Sequence, residues 1–170
     1  MYLLSKPDRY GIKILMLNDS KTSYMMKAVP YLGKTTQRLR NEPLANFFVR
    51  ELVEPIRDSN RTVVMDNLFT SFSLFRILFD EYNLKAIGTI RKNKKEIPHS
   101  FTEKASPSTT KYCFANNQTL LSYAPKRNKI VLTLSSSSIN TQIDPETKKP
   151  KLILQYNQHK GGTDSFDQAC

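Results

Sequence analysis

At 170 residues, 39% of them apolar and 24% charged, the chain can bury one ordinary core and is too apolar to be wholly disordered. Its net charge of +11 makes a polyanion the default partner, nucleic acid before a membrane surface, with a merely solvated basic surface as the plainer alternative. No apolar run approaches the roughly 18 residues of a membrane span. The first seven residues have too short an apolar centre for a signal peptide. Cys113 and Cys170 can neither build a disulfide framework nor fill a zinc site alone, so the expectation is an intracellular chain that does not enter membranes.

In chain order, Tyr10 to Leu17 (YGIKILML) predicts a strand that leaves into Asn18-Asp19-Ser20. Tyr24 to Tyr31 can pair back on it as an antiparallel partner. Pro43 suits the first turn of a helix. Leu44, Phe48 and Leu52 then give that helix an apolar stripe to about Glu54, and Pro55 should end it. Val63-Val64-Met65 reads as a buried strand that runs straight into Asp66. Thr70 or Ser71 can cap the next helix, whose apolar face is Leu74, Phe75, Leu78, Phe79 and Tyr82. Lys85 to Ile90 predicts a further core strand. Strands that give way to alternating helices and strands imply a mixed α/β fold with a sheet partly antiparallel and partly parallel.

Beyond Ile90 the character changes. Arg91, Lys92, Lys94 and Lys95 form a basic cluster that reads as a solvated turn, a phosphate-contacting loop or a nuclear-import signal. Short strands follow at 112–114, 120–123 and 130–134, with Lys126, Arg127 and Lys129 at a hairpin tip between the last two. Ser135 to Pro150 is Ser-rich, then charged, and reads as a mobile loop. The organisation expected is a core over 1–90, a β-rich insertion over 91–150, and a last core segment over 151–170. In that segment order resumes at 151–156. A Gly pair ends the element, and Thr163 is the expected N-cap of a helix that carries Asp164 and Asp167 one turn apart.

Acids thus stand at the exits of two strands, Asp19 and Asp66, and in a first helical turn, Asp164 with Asp167. Each has a local alternative, since Asp caps strand–helix turns and suits a helix N-terminus. Were they to converge, two such charges about 4 Å apart would repel by about 4 kcal/mol at an effective dielectric of 20. Several hard oxygen ligands in one crevice therefore imply Mg²⁺ or Mn²⁺. A pair of such ions is the arrangement that breaks phosphodiesters.

Five ordered blocks, YGIKILMLNDSKTSYMM, VPYLG, VVMDNLFTS, IGTIRKNKKEIP and YNQHKGGTDSFDQ, closely resemble the piggyBac transposase family, which includes transposable-element-derived proteins retained by host genomes. The match covers nearly the whole chain. The resemblance implies an RNase H-like DDE/D catalytic core, a mixed sheet with flanking helices interrupted by a β-rich insertion. It places Asp19, Asp66 and Asp164 at the three catalytic, metal-holding positions, for two Mg²⁺ or Mn²⁺ ions, with Asp167 a further catalytic acid of the last block. Leu68 stands where the family often has Trp, and Thr163 where it often has Val. The family's N-terminal dimerisation and DNA-binding region, the rest of its helical core and its cysteine-rich zinc domain have no counterpart in these residues. The expectation on that account is a fragment, a partial gene model or a decayed copy.

By resemblance the function is metal-dependent cleavage at transposon ends and strand transfer into TTAA sites in the nucleus, with a homodimer admitted for the full-length protein. The 170 residues alone are expected to show little or no transposition. Arg91, Lys92, Lys94, Lys95, Lys126, Arg127 and Lys129 are the DNA-contact candidates. The alternative is a domesticated or decayed transposase-derived protein that binds DNA without cutting it. A generic basic binding module would leave the ordered blocks unexplained.

Overall fold

The computed structural model describes residues 12–33, 42–137 and 141–169. They fall into two units: the described residues up to Pro55 together with those from Gly162 on, and the stretch from Ile56 to Gly161.

In the first unit the apolar run gives β1 (Ile14–Asn18), which pairs antiparallel with β2 (Met25–Pro30), Leu15 opposite Val29. The residues of the expected strand before Ile12 lie outside those described. Between Leu17 and Asn18 the register shifts, a bulge that re-aims the strand just ahead of Asp19. The Leu44/Phe48/Leu52 stripe forms α1 (Leu44–Val53) as the spacing predicts, and it packs on both strands. Phe48, Val49, Leu52 and Val53 are buried, and Phe48 meets Tyr31 edge-on with ring centroids 5.9 Å apart. Full burial of one such side chain contributes about 1.5–3 kcal/mol. The last helix, α4 (Gly162–Ala169), packs against β1.

The second unit is built on a five-stranded mixed sheet. Its strands are β3 (Thr62–Met65), β4 (Lys85–Thr89), β5 (Thr110–Ala115), β6 (Gln118–Lys126) and β7 (Lys129–Ser135), in the spatial order β3-β4-β7-β6-β5. β3 and β4 are parallel and every other pairing is antiparallel, so the sheet is mixed as expected, but its antiparallel strands come from 91–150 and not from the first hairpin. β1 and β2 form a separate two-stranded sheet. The strands of 91–150 are neighbours of β4 within the larger sheet. Asn116 and Asn117 both have positive φ and close the β5–β6 hairpin in two residues, a turn that asparagine tolerates.

Between β3 and β4 runs α2 (Phe72–Asp80), capped by Ser71, whose hydroxyl accepts from Leu74 N at 3.3 Å. Its Leu74, Phe75 and Leu78 are fully buried. The apolar run at 151–156 forms α3 (Lys151–His159), and Leu152 and Ile153 pack on Ile87, Leu121 and Tyr123 of the sheet.

Two expectations need correction. In the segment read as a loop from Ser135 to Pro150, Ser135 is the last residue of β7, and the stretch 141–150 contains a closed turn. Ile143 bridges Pro150, and Asp144 Oδ1 accepts from both the backbone N and the hydroxyl of Thr147 at 2.7 Å. Thr163 is not an N-cap, because α4 already begins at Gly162 and places Thr163 inside its first turn. Among the described residues no helix is long and apolar enough to cross a membrane.

Candidate functional site

Asp19 follows β1 and organises the turn that joins it to β2. Its Oδ1 accepts from Lys21 N at 3.0 Å, Thr22 N at 2.8 Å and the Thr22 hydroxyl at 2.9 Å. Ser23 completes the turn with φ 59°. The side chain of Asn18 braces it, donating from Nδ2 to Ser23 O at 3.3 Å.

Asp164 lies in the first turn of α4, exposed. Gly162 seats that turn on the Asp19 turn: a Cβ at position 162 would stand 3.2 Å from Ser20 Cα and 3.5 Å from Asp19 O. The Thr163 hydroxyl donates to Asn18 Oδ1 at 3.4 Å. The segments bearing the first and third acids are therefore in contact within one unit. Asp167 also falls in α4, but its side chain lies outside the described residues.

Asp66 belongs to the second unit, exposed at the exit of β3. Its Oδ1 accepts from Leu68 N at 2.8 Å, and its backbone O accepts the Thr70 hydroxyl at 2.7 Å. At the exit of the adjacent parallel strand, Arg91 Nε donates to Asn67 Oδ1 at 3.1 Å. β3 and β4 run together, Met65 beside Gly88, while β7 runs against β4, with Ile90 N bonded to Leu132 O. The start of β7 thus lies at the same end of the sheet as Asp66. Both predicted basic clusters gather there. Arg91, Lys92 and Lys95 are exposed and Lys94 half-buried in the turn after β4, and Lys126, Arg127 and Lys129 are exposed at the β6–β7 tip. One exposed carboxylate on a basic sheet end can face a phosphate chain without net repulsion.

Among the described residues no group of three or more His, Cys, Asp or Glu side chains stands together to hold a metal ion. Each acid by itself is the hard oxygen donor that Mg²⁺ and Mn²⁺ take, Asp19 and Asp164 in the first unit and Asp66 in the second. The contact of Gly162 with Ser20 also brings two of their segments side by side.

Sequence reasoning missed the roles of four supporting residues, reading Thr70 only as an alternative to Ser71 as helix cap. Asn18 and Asn67 brace the acid turns, Thr70 holds the Asp66 backbone, and Gly88 leaves room for Thr70. For Gly88 a signal existed, since an isolated glycine inside a strand marks close backbone approach. The asparagines gave none.

The family described as Transposase IS4 matches the chain over residues 1–170. A cryo-EM structure of a piggyBac transposase synaptic complex with hairpin DNA is similar to the chain at 44% identity, with a TM-score of 0.95. The similarity covers 100% of this chain and 36% of that one, so the chain spans about a third of the length of that transposase.

Proposed function

Because the chain belongs to the piggyBac-type transposases of the family described as Transposase IS4, we propose that it is a DNA-cutting and strand-transferring domain with an RNase H-like core. Its substrates in this reading are transposon ends and TTAA targets, and its place of work is the nucleus. Hydrolysis of a phosphodiester at the transposon end frees a 3′-hydroxyl. That hydroxyl attacks a target phosphate, and the bond to the target strand breaks as the new one forms. Asp19, Asp66 and Asp164 would hold two Mg²⁺ or Mn²⁺ ions, with Asp167 assisting. Such ions, when bound, supply activation of the attacking oxygen and stabilisation of the leaving one.

The protein's own contribution is placement. The observation that carries the reading is the seating of α4 on the Asp19 turn, which joins the two acid motifs most distant in sequence. Around Asp66 the basic end of the sheet would neutralise and orient the phosphate backbone through Arg91, Lys92, Lys94, Lys95, Lys126, Arg127 and Lys129. The second reading, DNA binding without cleavage, draws on the use of Asp19 and Asp66 as local turn caps.

The test is to place these residues in the corresponding region of a complete transposase of the family and measure Mg²⁺-dependent nicking of transposon-end DNA. Cleavage is expected. Asp164→Asn should reduce it on the order of a hundredfold or more, since even outer-shell changes cost 10–100-fold in metal affinity. Equal cleavage with Asn at 164 would remove that acid from the centre. Tight binding of ends with no cleavage by the unaltered chimera would favour the second reading.

A further inference from the structure

We infer that Thr163 and Asn18 form a polar positioning pair that sets the first turn of α4, and hence Asp164, on the Asp19 turn. The inference rests on the metal-centre reading above and deepens it. The Asn18 amide serves both sides of the junction: its Nδ2 donates to Ser23 O at 3.3 Å, closing the Asp19 turn, and its Oδ1 takes the Thr163 hydroxyl at 3.4 Å. One rigid planar group thus ties the geometry of the turn to that of the helix. Gly162 sets the depth of the seat, because a Cβ there would come within 3.2 Å of Ser20 Cα, tighter than an ordinary van der Waals contact. Asp19 and Asp164 each follow directly on a member of the pair.

What the seat cannot tolerate is half of a polar pair. Removing Thr163's hydroxyl leaves a part-buried amide oxygen without its donor, whereas once Asn18 is apolar the loss of that hydroxyl costs little more, the remaining cost being the Asn18 bond to Ser23 O. This separates positioning by the pair from general packing.

The experiment uses the 170-residue chain and Mn²⁺ as the probe, with titration calorimetry for affinity and hydrogen exchange of the amides of α4 as a second readout. Thr163→Val should weaken Mn²⁺ binding and speed exchange of the hydrogen-bonded amides beyond the first turn of α4 roughly fivefold, and Asn18→Leu, which also loses the bond to Ser23 O, at least as much. Thr163→Ser should behave as the unaltered chain. The double variant Thr163→Val/Asn18→Leu should bind no more weakly than Asn18→Leu alone, because the bond between the two side chains can be lost only once. Single variants that bind Mn²⁺ as tightly as the unaltered chain overturn the inference, and so does a double variant in which the two effects simply add. An unaltered chain that takes up no Mn²⁺ overturns the metal reading, and the inference falls with it.

Discussion

The Thr70 hydroxyl occupies the space in which Gly88 would otherwise carry a Cβ. From there it donates to Asp66 O at 2.7 Å, so a glycine next to the last residue of β4 shapes the turn that presents Asp66 at the end of β3. The same added Cβ would stand 2.6 Å from Met65 O, a backbone atom of the neighbouring strand.

Gly88→Ala should therefore be costly. Overpacking a tight site costs about 1–3 kcal/mol, and here the clash is with ladder backbone rather than a flexible side-chain end. Gly161 is the control, because nothing lies within 4 Å of a Cβ built there. Gly161→Ala should change stability by less than about 0.5 kcal/mol. Urea denaturation of both variants checks the contrast, and equal costs would refute the steric account.

Elements with one dominant pattern were legible from sequence. Val63 to Met65, an apolar run closed by an acid, is β3, and the four-residue spacing of Leu44, Phe48 and Leu52 is α1. The run Leu152-Ile153-Leu154 was not decidable, because a short apolar run fits a strand or a buried helix equally until its partners are known. Its partners Ile87, Leu121 and Tyr123 come from distant parts of the chain. The acids themselves were picked out by position. That Asp19 and Asp66 each commit Oδ1 to their own turn was not readable, since turn-capping and ligand-holding call for the same residue at the same place. That both basic clusters share the Asp66 end follows from the antiparallel register of β7 on β4, a long-range pairing with no local signature.

The Asp144 turn carries a pH dependence. The backbone N–H of Thr147 first, and its hydroxyl second, hold the Asp144 carboxyl below the usual carboxylate range. A group whose folded pKa is depressed contributes its stabilisation fully above the unfolded value, about 3.9, and loses it as pH falls through the lower folded value. Thr147→Val keeps the backbone donor and removes the hydroxyl, so Asp144 should titrate part of the way back toward the ordinary range. NMR titration of the Asp144 carboxyl measures this, and an unmoved midpoint would mean the hydroxyl plays no part.

The basic sheet end predicts a steep salt dependence of DNA binding. Removing one Lys or Arg that neutralises a phosphate should lower the slope of log affinity against log salt by about 0.9 on duplex DNA. Replacing Lys94 and Lys95 together by Ala should flatten the slope by about 1–2. The half-burial of Lys94 makes it the better ordered of the two. Fluorescence anisotropy with a duplex oligonucleotide across a salt series is the measurement. An unchanged slope would return the cluster to the solvated turn that it resembles in sequence.

Asp66 offers a substitution that separates its local role from a chemical one. Asn presents the same Oδ1 to Leu68 N, so Asp66→Asn should preserve the turn and leave stability within about 0.5 kcal/mol of the unaltered chain. Asp66→Ala removes the acceptor and should cost about 1 kcal/mol. If the carboxylate serves only the turn, Asn should also be functionally silent. If it holds a divalent ion, Asn and Ala should both abolish Mg²⁺-dependent nicking in the complete transposase, although only Ala destabilises the fold, because the neutral amide lacks the charge that compensates a cation. Urea denaturation beside a nicking assay decides between them, and full activity with Asn at position 66 would leave Asp66 as a turn cap.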